Sequence, residues 1–166
     1  GIARNLTNTA GVAERDPMWS PDGKWITYFS DESDEYELYL VQSDGKSERR
    51  QLTSDGTPFK HATSWSPDST QLLYTGKAGD VHLVDIASGD RRHIVSDTFA
   101  QKPATSWSHD SKWIAYDRTD DNGMSSIWIY EIEADEHHRI TSDMFNDASP
   151  AFDREGDYLY FNSGRT

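Results

Sequence analysis

The stretch Trp19-Ser20-Pro21-Asp22-Gly23-Lys24-Trp25-Ile26-Thr27-Tyr28-Phe29 decides the fold. It places a tight turn between an aromatic anchor and a short apolar run. In such a turn proline presets φ, aspartate bonds back to the backbone, and glycine accepts positive φ. The same turn returns as Trp65-Ser66-Pro67-Asp68-Ser69 and as Trp107-Ser108-His109-Asp110-Ser111. A degraded copy reads Phe152-Asp153-Arg154-Glu155-Gly156. The anchor aromatics lie 46, 42 and 45 residues apart. A second marker keeps step with them. Leu6-Thr7, Leu52-Thr53, Ile94-Val95 and Ile140-Thr141 each fall 12 or 13 residues before the next anchor. Two markers held in phase over four copies identify a structural repeat.

Working outward from each turn, the strands of one period can be read. A short first strand ends on the anchor. The second covers Trp25–Phe29, Leu72–Thr75, Trp113–Tyr116 and Tyr158–Phe161. The third covers Glu37–Val41, Val81–Asp85 and Ile127–Glu131, and the fourth Arg50–Thr53, Arg92–Val95 and His138–Thr141. Four short strands in a period of about 40–45 residues are the signature of a β-propeller blade. The expected fold is therefore all-β, a partial propeller of four-stranded antiparallel blades in one domain spanning 1–166. Three complete blades fall near 17–53, 60–95 and 103–141, with a half blade at 148–163 and an N-terminal outer strand at 3–7. A single blade cannot bury both faces, so neighbours must share a core. Trp19, Trp65 and Trp107, at one fixed phase, are expected to pack between blades.

Composition agrees with this reading and excludes several function classes. Aromatic residues make up 12% of the 166, and they sit in short clusters between turn residues despite a mean hydropathy of −0.84. That pattern suits half-buried strands rather than disorder. The net charge of −13 disfavours nucleic acid and anionic membranes as partners. The absence of cysteine removes disulfides, thiolate metal sites and cysteine nucleophiles. No stretch approaches the apolar length of a membrane span, and no signal peptide is evident at the N-terminus. A cytoplasmic setting is expected, with the periplasm as the alternative.

The turn followed by Lys24-Trp25-Ile26-Thr27-Tyr28 resembles the TolB-like, or PD-type, propeller repeat. The linking segments Ala3–Thr7 and Gly11–Pro17, the run Trp25–Ser33 continuing to Tyr36–Tyr39, and the closing Tyr158–Thr166 resemble tricorn-type proteases. The resemblance covers essentially the whole chain and points to their second, seven-bladed propeller. It implies a non-catalytic segment of a large oligomeric serine peptidase, one that guides peptides and supports assembly. The family's nucleophile and oxyanion groups belong to other domains, so no catalytic residue carries over. Expected partners are peptides, the remaining domains of a longer chain, or a second copy closing a ring of about seven or eight blades. A TolB-like protein-interaction propeller is the alternative, and a propeller glycoside hydrolase a second one.

Four constellations were weighed for chemistry of their own. Ser108-His109-Asp110 contains the three residue types of a hydrolytic triad, but adjacent side chains on a strand-turn point apart. His137-His138, beside Asp135 and Glu136, lack the convergent spacing of a zinc site. The acidic loop Asp31–Glu35 lacks the turn glycine of a calcium loop, and Asp120-Asp121-Asn122-Gly123 fits an ordinary turn. No pair of carboxylates stands out from the repeat as a glycosidase would require. No catalytic, cofactor-binding or metal-binding residue is therefore assigned, and no cofactor is expected.

Overall fold

The computed structural model describes residues 4–56, 60–99 and 102–165. The chain is all-β. The first sheet runs β1 (Glu14–Trp19), β2 (Trp25–Ser30), β3 (Glu37–Gln42) and β4 (Arg50–Gln51). The second runs β5 (His61–Trp65), β6 (Gln71–Thr75), β7 (Val81–Asp85) and β8 (Arg91–Val95). The third runs β9 (Thr105–Trp107), β10 (Trp113–Thr119), β11 (Ser125–Glu131) and β12 (Glu136–Arg139). A hairpin, β13 (Asp147–Phe152) and β14 (Leu159–Ser163), follows. Every sheet is a meander in chain order with antiparallel neighbours, and among the described residues the lone helical element is a 3-10 turn at Lys77–Gly79. Among the described residues no helix is long and apolar enough to cross a membrane.

The residues fall into two compact units. The first comprises Gly1–Trp65, Ser69–Lys77 and His82–Arg92, the second Ser66–Asp68, Ala78–Val81 and His93–Thr166. In the first, Phe29, Leu38, Leu40 and Leu52 of the leading sheet interdigitate with Trp65, Leu72, Tyr74, Val84 and Ile86 of the next. Fully burying one such side chain contributes about 1.5–3 kcal/mol, which is what draws two amphipathic sheets face to face. In the second unit β13 packs on β9, β10 and β11.

The anchor position behaves as expected where a neighbouring sheet is present. Trp65 is 7% exposed within the shared core, and Trp107 is half-buried. Trp19 departs from expectation at 60% exposure. It belongs to the leading sheet, whose other face carries Ile26, Tyr28, Tyr39 and Val41 with Leu6 packed against them.

The expected N-terminal strand falls in part outside the described residues, at Ala3. Arg4–Thr7 form no ladder, yet they occupy the place of a fourth-strand ending. Arg4 donates to the carbonyls of Asp44 and Gly45, as Arg50 donates to that of Ala87 one blade later. Gly45 is required there, because a Cβ would lie 2.6 Å from the Arg4 guanidinium and its φ is +63°.

The markers acquire physical reasons. Ser20 Oγ donates to Asp22 Oδ1 at 2.6 Å and accepts from the Trp25 amide, while the Lys24 amide donates to the same Asp22 oxygen. Ser108, Asp110, Trp113 and Lys112 repeat the pattern atom for atom. The fourth turn residue has left-handed φ, 65° at Ser69 and 61° at Ser111. Glycine would be cheaper there, but each serine hydroxyl accepts the amide of the preceding turn's aspartate, Asp22 and Asp68 respectively. The threonine of the second marker caps the third strand. Thr53 Oγ1 accepts from the Leu38 amide and Thr141 Oγ1 from the Ile127 amide.

Candidate functional site

In the first unit the starts of β1 and β5 bring together a set of charged side chains. A bulge between Arg15 and Met18 interrupts the β1–β2 ladder, and Asp16 sits at its head with φ 53°. Bulges re-aim side chains and are enriched beside functional surfaces. Arg15 is fixed from all sides. Its guanidinium donates to the Lys60 carbonyl at 2.7 Å and to Asp16 at 2.7 Å, and stacks on Tyr36 and Phe29 at 4.4 and 5.2 Å. The exposed His61 ring lies 3.9 Å from Asp16.

Behind this rim lies a buried ionic network. Lys60 is 1% exposed, and its ammonium meets Glu37 at 3.1 Å, Asp55 at 2.7 Å and the Tyr36 carbonyl at 3.2 Å. Buried Glu37 also accepts from the Thr53 hydroxyl and the Gly56 amide, and Asp55 pairs with Arg91. The network closes charge on itself and holds the rim rigid.

The residues of the four sequence constellations make the following contacts. The bonds of Ser108 go to Asp110 and Trp113 within the turn, and the Ser108 hydroxyl holds the Asp110 carboxyl below the usual range. His137 Nδ1 lies 2.9 Å from the Tyr116 hydroxyl, whereas His138 Nε2 turns to Glu131 and Glu136. Among the described residues no group of three metal-ligating side chains converges. Asp31 accepts the Ala13 amide and Glu32 holds Arg49 in a bidentate pair. Asp120 binds Arg139 and closes the turn at Gly123.

In the sequence His61 shows no partner spacing, Arg15 and Asp16 stand only within a linking segment, and Lys60 carries no signal. One usable signal lay in phase with the markers: Arg49-Arg50, Arg91-Arg92 and His137-His138 each precede Leu52, Ile94 and Ile140 by three and two positions. The first member lies beside a tyrosine of its own blade. Of the second members, Arg50 donates to the Ala87 carbonyl of the next blade, whereas His138 stays with Glu131 and Glu136 of its own.

The whole chain, residues 1–166, matches the family described as the tricorn protease second beta propeller domain. The chain belongs to that family. A curated relative, the "Uncharacterized peptidase YuxL" of Bacillus subtilis, is 28% identical over 158 residues. That match takes in 91% of this chain and 22% of the relative. Among solved structures, the tricorn protease superposes with a TM-score of 0.73 at 18% identity, over 85% of this chain and 14% of that one. TolB from Acinetobacter baumannii gives 0.62 at 22% identity, over 90% and 37%. The chain thus spans a minor part of each of these proteins, and the structural likenesses speak to fold.

Proposed function

We propose that this chain is a non-catalytic propeller segment of a larger peptidase, in which the first strands border a path taken by peptides. The observation carrying the reading is the end-to-end match to the tricorn second-propeller family. The rim supports it: Arg15, Asp16 and His61 offer fixed donors and acceptors to a passing backbone, without a nucleophile and base set against one another. The segment also serves assembly. Exposed Trp19 at one end and exposed Tyr158 and Tyr160 at the other are faces suited to further blades.

The test is fluorescence anisotropy of labelled, unstructured peptides titrated with the chain, alongside mass spectrometry of the same mixtures. Binding that weakens on Asp16→Asn or Arg15→Ala, with no cleavage products, is expected. No binding at any accessible concentration overturns the reading. Capture of folded proteins in place of peptides supports the TolB-like alternative, and turnover of an oligosaccharide the hydrolase one.

A further inference from the structure

In the three complete blades the tyrosine of the second strand (Tyr28, Tyr74, Tyr116) lies beside the basic residue three positions before the marker (Arg49, Arg91, His137). The Tyr28 and Tyr74 hydroxyls are buried without a hydrogen bond among the described residues, whereas that of Tyr116 is 2.9 Å from His137 Nδ1. In the first two blades burial pushes the tyrosine hydroxyl up and the arginine beside it pulls it back. In the third, burial pushes Tyr116 up to about 12, and Arg118 is the cation that opposes it. The arginines are themselves pinned by acids, Arg49 by Glu32 and Arg91 by Asp55. His137 has instead the Tyr116 hydroxyl at 2.9 Å and the Tyr130 ring at 4.7 Å, while Tyr130 donates to Asp135.

We propose that His137 makes the outer strand of the third blade an acid-sensitive element, where the same position in the first two blades holds an arginine paired with a carboxylate. In the neutral tautomer with its proton on Nε2, the imidazole accepts the Tyr116 hydroxyl proton at Nδ1, 2.9 Å away. Charging the ring removes that acceptor, so the O–H···N bond tying β12 to β10 is lost in its neutral-pH form. Tyr116 from β10 and Tyr130 from β11 face the ring, and the charged or titratable groups that act on it are Arg118 from β10, Asp135 from the connecting turn, His138 from β12 and His93 from β8. Burial lowers the His137 pKa first, Arg118, His138 and His93 add to this, and Asp135 opposes. A histidine lowered in the folded state binds protons better when unfolded. Its contribution is therefore present above the ordinary histidine range and lost as pH falls through it.

Hydrogen exchange of the Glu136–Arg139 amides tests this, corrected for intrinsic rates and referenced to the first-blade strand Glu37–Gln42, at pH 7.5 and 5.5. The expected result is a several-fold relative loss of β12 protection at the lower pH in the natural chain. His137→Arg, which installs the residue of the other blades, is expected to remove that loss. His137→Gln, which keeps a neutral acceptor, serves the same purpose should the arginine variant not fold. An NMR titration of the His137 ring is expected to show a midpoint below that of a histidine in an unstructured peptide. Equal pH responses in the natural chain and both variants, or a raised midpoint, overturn the proposal.

Discussion

Lys60→Met probes the buried network most directly. Methionine keeps the stem but removes the ammonium that lies 3.1 Å from Glu37 and 2.7 Å from Asp55. Asp55 retains Arg91, so its charge stays compensated. Glu37 retains the Thr53 hydroxyl and the Gly56 amide but no cation, while remaining almost wholly buried. Leaving one member of a buried pair uncompensated costs about 3–5 kcal/mol. With a urea dependence of about 2 kcal/mol per molar, the midpoint should fall by about 1.5–2.5 M. Tryptophan fluorescence is a suitable assay because Trp65 lies in the core shared by the two sheets. The double variant Lys60→Met/Glu37→Gln removes the stranded charge as well and should recover more than half of the loss. An unchanged midpoint in the single variant would refute the electrostatic argument. A double variant as unstable as the single one would assign the loss to packing instead.

Three further expectations follow from the same geometry. Trp65→Ala should cost about 3–5 kcal/mol by calorimetry or urea melts, whereas Trp19→Ala, at 60% exposure, should cost well under that. Ser69→Ala should cost about 1 kcal/mol, since it keeps the left-handed backbone and loses the bond to the Asp22 amide, and Ser69→Gly should cost less because it relieves that backbone. Asp22 is lowered to about 2 by the Ser20 hydroxyl and then the Lys24 amide. Its stabilising contribution is present above the ordinary aspartate value and lost as pH falls through about 2, so a carbon-detected titration should find it charged at pH 3, and Ser20→Ala should raise its midpoint.

The strands were legible because the repeat is written twice, once in the turn and once in the Leu-Thr marker. Two signals in phase fixed which apolar runs pair, and the observed ladders place Ile26 opposite both Trp19 and Val41, and Ile114 opposite Trp107 and Tyr130. Two of the fourth strands, Arg50–Thr53 and His138–Thr141, were read too long at their ends, whereas Arg92–Val95 ends where its strand does. Leu52 and Thr53 leave the ladder because the threonine hydroxyl replaces a backbone partner for Leu38. The rim was not legible. Asp16 acquires its position from a bulge, and a bulge is one extra residue that no alternation pattern announces. Lys60 reads as an ordinary loop cation, and its partner Glu37 lies 23 residues earlier on the middle of another sheet. Burial of a lysine is decided by what arrives opposite it, which is information about tertiary structure.

Lys60 joins two elements at once, its carbonyl holding Arg15 and its ammonium holding Glu37. Neither contact can form until the leading sheet exists, because Glu37 heads β3 and Arg15 lies in β1. If the second sheet docks late onto that template, the Lys60 contacts form after the rate-limiting step, and a φ-value near zero for Lys60→Met would show it. Parting the two sheets again exposes a paired charge to its full cost of separation before water can enter to repay it. Contacts made after the rate-limiting step slow unfolding far more than they hasten folding. The first unit should accordingly reopen slowly, and its persistence under heat or protease should be set by an escape rate more than by its equilibrium stability.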